Sequence, residues 1–242
     1  MIVEFRFKNY RSYRDYAEFS FEAQPSNFNS ESITSLTLAD GSIIRLLNVA
    51  AIFGANASGK SNIIHAISDL STWVRESLRF NQNQPIPLRI PYGLNLKDQN
   101  LPTEFCIDFI LKNQRYRYSL IIDDFGVKDE DLSEIRKTKA LNIFGRTRLD
   151  NGEFGLKIGE AWKTSSLLLN DISLLPNQLL LSWLATKETH GLQDISDYLA
   201  NLRIVSPDQL LPFGRLFNQT AETMFDGGRS DIYIYNLINF YK

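Results

Sequence analysis

Hydrophobic and polar residues alternate at the start of the chain. Apolar side chains recur at Val3, Phe5 and Phe7, with charged residues between them. This period of two predicts a half-buried β-strand. A polar stretch over residues 9–15 follows, and alternation resumes at Ala17. We therefore expect two antiparallel strands joined by a loop rich in Tyr and Arg.

The next two apolar runs predict a hairpin. Ile33–Leu38 and Ser42–Leu47 flank Asp40-Gly41, a dipeptide that favours tight hairpin turns. The run that follows, Val49–Phe53, is apolar without alternation. Such a run is typical of a strand buried on both faces.

The period changes at Ser61. Apolar residues then fall at helical spacing and predict an amphipathic helix to about Leu78; they are Ile63, Ile64, Ile67, Leu70 and Val74. Alternation returns over 105–111 and 115–122, around a turn at 112–114, which predicts a second hairpin.

The pattern becomes helical again beyond Asp150. Leucines follow Pro176, and Ile195, Leu199 and Leu202 continue at helical spacing after Gly191. We expect a boundary near residue 160. It would separate an α/β lobe with an antiparallel β subdomain (1–160) from a mainly helical, incomplete segment (161–242).

One segment carries clear chemistry. Gly54-Ala55-Asn56-Ala57-Ser58-Gly59-Lys60-Ser61 matches G-x-x-x-x-G-K-[ST] at every fixed position. The two glycines let the backbone approach phosphate oxygens closely, and the amides form an anion nest at a helix N-terminus. Lys60 can reach the β- and γ-phosphates, and the Ser61 hydroxyl can ligate Mg²⁺. The alternative is a glycine-rich turn that binds nothing, but a predicted strand before the loop and a predicted helix after it favour the nucleotide site.

Composition narrows the function further. The net charge of −2 gives no support to nucleic-acid binding, which usually needs a strongly basic surface. One cysteine, Cys106, excludes an intrachain disulfide, and two distant histidines, His65 and His190, exclude a Cys/His metal site. No run approaches ~18 apolar residues, so we expect a cytoplasmic protein without a membrane segment.

The residue sequence of the loop resembles the loop of one family. Residues 54–62, ending in Asn62, are similar to the G-x-N-x-[SA]-G-K-[ST]-N loop of ABC-type ATPase heads, which include the SMC, RecF and OLD-like classes. Asn9-Tyr10-Arg11-Ser12-Tyr13 resembles their N-F-[RK]-S-F element, which lies beside the bound nucleotide. The resemblance implies roles for Arg11 and Ser12; the alternative for Arg11 is a solvated loop arginine. The implied nucleotide contacts are Gly54, Asn56, Ala57, Ser58, Gly59, Lys60, Ser61, Asn62, Arg11 and Ser12, with Lys60 acting on the phosphates and Ser61 on Mg²⁺.

The middle of the chain resembles stand-alone bacterial AAA/ABC-type ATPases of abortive-infection and phage-defence systems. The similar features are an aromatic hairpin (116–124), an acidic turn at Asp129-Glu130-Asp131-Leu132, and Phe144-Gly145-Arg146. The implied fold is α/β: the N-terminal lobe of a P-loop NTPase, with a mixed sheet and a helical C-terminal part.

Two elements of a working head are missing from the sequence. There is no L-S-x-G signature, and we expect it and the Walker B strand to lie beyond residue 242. The apolar run that ends at Asp123-Asp124 could be a Walker B, but Phe125-Gly126 follows it, and we interpret it as a hairpin turn. No N-K-x-D segment supports a GTPase.

The resemblance implies a function for the complete protein. Two heads would bind Mg·ATP between them as a homodimer and hydrolyse it to power or gate a partner effector, such as a nuclease. This chain alone would show little turnover. The alternative is a regulatory module that binds nucleotide without turnover of its own.

Overall fold

The computed structural model describes residues 1–25, 30–81, 86, 88–137, 139–159, 172–187, 191–205 and 233–235. Its main feature is a seven-stranded sheet in which all neighbouring strands are antiparallel, in the order β2-β1-β5-β6-β7-β8-β9. A hairpin, β3–β4, and a parallel pair, β10–β11, complete the strands. The strands are β1 Ile2–Lys8, β2 Ala17–Ser20, β3 Ile33–Thr37, β4 Ile43–Leu47, β5 Thr103–Leu111, β6 Gln114–Asp123, β7 Gly126–Arg136, β8 Lys139–Arg148, β9 Phe154–Ile158, β10 Arg203–Val205 and β11 Tyr233–Tyr235.

The three longest α-helices pack on one face of this sheet. The longest, α1, buries Leu70 and Trp73 in the core together with Phe5 and Phe109 of the sheet. The Trp73 indole donates to the Asn177 carbonyl oxygen over 2.9 Å, which ties α1 to the chain ahead of α3. The α-helices are α1 Lys60–Glu76, α2 Leu96–Gln99, α3 Leu180–Ala185 and α4 Leu192–Ala200; short 3-10 turns span Ser30–Ser32 and Ser77–Arg79.

The β3–β4 hairpin covers part of the opposite face. Ile110 follows the core residue Phe109 and therefore points to the other side of the sheet. There it packs in a second cluster with Ile44 and Leu46. Within the described residues, no helix combines the length and hydrophobicity needed to cross a membrane.

Most of the predicted elements are confirmed. The strand pair at the N-terminus, both hairpins, the helix after Ser61 and the two helices after residue 176 all form. The α/β class is confirmed as a large antiparallel sheet with a few helices. The boundary predicted near residue 160 falls within 160–171, which lie outside the described residues. Residues 206–232 and 236–242 of the predicted helical segment lie outside them as well.

The strand predicted at Val49–Phe53 is wrong. The segment has no regular secondary structure, and Val49 and Phe53 are 78% and 81% exposed. A strand buried on both faces needs paired neighbours and a covering layer on each side. Among the described residues no strand pairs with this segment, and only Ile52 packs partly against the core.

The acidic turn predicted at Asp129-Glu130-Asp131-Leu132 is also wrong. These residues lie within β7, where alternation turns Glu130 and Leu132 toward the core. The buried Glu130 carboxylate accepts hydrogen bonds from the amides of Leu180 and Leu181, at 2.7 and 2.8 Å. It thereby satisfies two donors at the start of α3, which a turn residue facing water could not do.

Candidate functional site

The predicted phosphate-binding loop leads from the exposed 49–53 segment into α1. Residues 56–59 form a turn and a bend, and Ala57 and Gly59 adopt left-handed backbone conformations with φ of 61° and 93°. Only glycine adopts a φ near 93° without strain. The loop therefore curls tightly at the residue that caps α1, as a backbone that wraps around an anion must do.

The first turn of α1 is open to an anion. Gly59 at the N-cap supplies no side-chain hydrogen bond, and the first turn holds no acidic residue. The first amides of a helix have no partner within the helix, and its dipole places partial positive charge there. A 17-residue helix with this N-terminus attracts a negatively charged group.

Lys60 places its charge at the mouth of the loop. Its ammonium group donates to the carbonyl oxygens of Gly54 and Ala55, each over 2.6 Å. An ammonium has three donors, so one stays available for a phosphate oxygen. A Cβ on Gly54 would lie 3.0 Å from the Ser58 hydroxyl, so the loop closes tightly on itself here.

The loop between β1 and β2 touches the phosphate-binding loop. The Asn62 amide donates to the Ser12 hydroxyl over 2.7 Å, and the Tyr13 hydroxyl donates to the Gly59 carbonyl oxygen over 3.3 Å. Burial raises the pKa of the Tyr13 phenol, which keeps the donating proton in place. Ser12 thus lies beside the loop, and its contact with nucleotide stays a prediction. The sequence analysis assigned no role to Tyr13, although its place in the N-Y-R-S-Y segment was an available signal.

Arg11 points elsewhere. Its guanidinium donates to the Tyr10 hydroxyl over 2.8 Å and to the Asp69 carboxylate over 3.4 Å. Asp69 lies about two and a half helical turns beyond Lys60 along α1. This ion pair holds the guanidinium along the helix. A direct contact between Arg11 and nucleotide stays a prediction.

The donor set at the loop suits magnesium bound together with phosphates. Mg²⁺ is usually held by few protein ligands, phosphate oxygens and water. Ser61 follows Lys60 in the first turn of α1, beside the open amides. In the described parts of the chain, no group of three His, Cys, Asp or Glu side chains could hold a metal by itself. Ser61 would therefore hold the ion jointly with a bound phosphate.

Asp123 ends β6 and Asp124 lies in the turn to β7, so the run ends in a hairpin turn, as interpreted from the sequence. Asp123 accepts a hydrogen bond from the Phe125 amide over 2.9 Å and pairs with Arg148. Asp124 pairs with Arg89 over 2.7 Å. Both acids therefore have structural partners at the end of a hairpin.

Comparison with known proteins gives one family match, which includes the loop. A family model described as "AAA domain, putative AbiEii toxin, Type IV TA system" matches residues 49–242. The matched region begins just before the phosphate-binding loop and leaves out β1 to β4. A search of curated proteins found no match.

Proposed function

The chain belongs to this AAA domain family of P-loop nucleotide-binding ATPases, and on that premise we propose that residues 54–61 bind Mg·ATP. Gly54 to Gly59 would wrap the phosphates, Lys60 would contact their oxygens, and Ser61 would hold Mg²⁺. The adenine preference follows the family rather than a base-reading residue.

The observation that carries this proposal is the N-terminus of α1. It has no side-chain cap and no acid in its first turn, and Lys60 of that turn directs its ammonium to the loop carbonyl oxygens of Gly54 and Ala55. Amides, helix dipole and ammonium all favour negative charge at this loop. A polyphosphate tail meets all three at once.

The family description supports a proposal for the wider role. Its description names a toxin of a type IV toxin–antitoxin system, which supports a place in bacterial defence. We propose that two copies of the complete head bind ATP between them and gate a partner effector, such as a nuclease, in a defence or DNA-transaction system.

Turnover by this chain alone should be small. Hydrolysis needs charge around the γ-phosphate and an oriented water. The sequence candidates for this task, Asp123 and Asp124, are held at the end of a hairpin by Arg148 and Arg89. Binding without appreciable turnover is therefore the expected behaviour of the 242 residues.

Calorimetry of the purified chain tests the proposal. Mg·ATP should release binding heat with the wild type, and Lys60→Met should weaken binding at least tenfold, because a charged hydrogen bond contributes about 1.5–3 kcal/mol. Lys128→Met, at an exposed lysine of β7, is the matched control and should bind as the wild type does. Equal affinity of Lys60→Met and wild type, or no binding by the wild type, would contradict the proposal.

A further inference from the structure

We propose that Ser12, Tyr13 and Asn62 are positioning residues, which brace the phosphate-binding loop rather than contact the nucleotide. The proposal rests on the proposed nucleotide site and assigns these side chains a different role from the direct contacts that the loop's resemblance implies for Ser12 and Asn62.

The brace acts at Gly59, where the loop turns into α1. A Cβ built on Gly59 would lie 2.5 Å from the Ser12 hydroxyl and 3.3 Å from a ring carbon of Tyr13, so both side chains lie directly against this residue. The Gly59 carbonyl oxygen accepts from the Tyr13 hydroxyl and also from the Asn62 backbone amide over 2.8 Å. Its orientation is thus set from two sides.

The segment Asn9–Tyr13, which we call the arm, is itself fixed. Tyr10 and Tyr13 exchange two backbone hydrogen bonds of 2.9 Å, which close the turn that presents Ser12. The base of the arm is held by buried Asn9, whose amide donates to the carbonyl oxygens of Asp98 and Leu101 at 2.9 and 2.7 Å. The buried Tyr10 hydroxyl donates to Asp69 of α1 over 2.5 Å. A rigid arm can restrain the loop that it touches.

The present partners of these side chains explain why they position rather than bind. The Asn62 amide is directed to Ser12, and the Tyr13 hydroxyl to a main-chain oxygen of the loop. The Tyr13 hydroxyl has a single proton, so donating it to a phosphate would break its bond to the Gly59 carbonyl oxygen and release Gly59. The bond from Asn62 fixes the Ser12 oxygen against Gly59. Since Gly59 orients the first amides of α1, loosening it should weaken the grip on phosphate.

A double-mutant cycle distinguishes the two roles. Ser12→Ala and Asn62→Ala should each weaken binding of Mg·ATP by about twofold to tenfold, the effect of one hydrogen bond. The double variant should be no weaker than the weaker single variant, because both changes remove the same bond. Inorganic pyrophosphate should lose affinity by the same factor as ATP. Ser12→Thr, which keeps the hydroxyl, should restore binding.

Tyr13→Phe gives a second, independent readout. It keeps the ring against Gly59 and removes only the bond to the carbonyl oxygen. Amide hydrogen exchange at residues 58–62 without nucleotide should speed up in this variant and in Ser12→Ala, while the unfolding midpoint in urea stays close to that of the wild type.

The outcomes separate the two proposals. If wild type binds ATP but the losses of Ser12→Ala and Asn62→Ala multiply, or pyrophosphate binding is spared, both residues contact the nucleotide and the brace is refuted alone. Unchanged exchange at residues 58–62 also refutes it. If the wild type binds neither ATP nor pyrophosphate, the proposed function fails and the brace fails with it.

Discussion

Replacing Gly59 by alanine should weaken nucleotide binding far more than it weakens the fold. The added methyl group meets two obstacles. Gly59 has a φ of 93°, and the new Cβ would lie 2.5 Å from the Ser12 hydroxyl, below the 3.0 Å that real Cβ contacts respect. Either Ser12 or the turn at Gly59 must move.

The structure allows the size of the effect to be worked out. A left-handed conformation costs a non-glycine residue about 1–2 kcal/mol. Moving Ser12 also breaks its 2.7 Å bond with Asn62, for about 1 kcal/mol more. The sum, about 2–3 kcal/mol, corresponds to a loop that adopts its binding geometry about 30 to 150 times less often. ATP affinity should fall by the same factor.

The assay combines calorimetry with Mg·ATP and unfolding in urea. Gly152→Ala is the matched control, because Gly152 also has a positive φ, of 84°, but nothing lies within 4 Å of its added Cβ. It should lower the free energy of unfolding by the strain alone and leave ATP affinity unchanged. In a Ser12→Ala background, Gly59→Ala should weaken ATP binding only by the part that comes from backbone strain.

Two results would refute this reasoning. If Gly59→Ala binds ATP as tightly as the wild type, the left-handed turn does not shape the site. If its effect is the same with and without the Ser12 hydroxyl, the close approach between Gly59 and Ser12 has no energetic consequence.

Three further predictions concern the buried pair Arg146 and Glu130 and the turn residue Asp124. Arg146→Met should lower the free energy of unfolding in urea by about 3–5 kcal/mol, because it leaves the buried Glu130 without its charged neighbour at 3.8 Å; a loss below 1 kcal/mol would argue against this. Burial raises the pKa of Glu130 above its ordinary value of 4.5, so its stabilising contribution is full below pH 4.5 and declines as pH rises through the raised pKa. The free energy of unfolding of Glu130→Gln should lack this decline between pH 4 and 8. Parallel pH curves for the variant and the wild type would contradict the prediction. Asp124→Asn should not change the rate of release of radiolabelled phosphate from ATP, since Asp124 pairs with Arg89 in a turn.

Local patterns in the sequence predict the parts of the fold that local interactions determine. The alternation of Val3, Phe5 and Phe7 and the helical spacing after Ser61 each report which side chains share a face. The phosphate-binding loop is equally local, because glycines, lysine and serine lie within eight consecutive residues. These predictions needed no knowledge of distant neighbours.

Glu130 shows why other parts could not be predicted. Three consecutive acidic and polar positions at 129–131 have the composition of a turn, yet they lie in the middle of β7. What makes the buried carboxylate tolerable is a set of donors far away in sequence: the Tyr118 hydroxyl and the amides of Leu180 and Leu181. A buried charge is stable only when such partners converge. Their convergence depends on strand order and helix packing, which no short pattern encodes.

The exposed segment before the loop bears directly on how the site works. In the part of the chain that the structure describes, residues 49–53 make no backbone hydrogen bonds, and Phe53 is 81% exposed just before Gly54. A loop entered by so weakly held a segment cannot derive its shape from that side. Among the described residues, the contacts that restrain the loop come from α1, which Trp73 fastens to the rest of the core, and from the fixed arm that ends at Tyr13. The sequence motif therefore supplies the groups that hold phosphate, while contacts from outside the motif keep them in place.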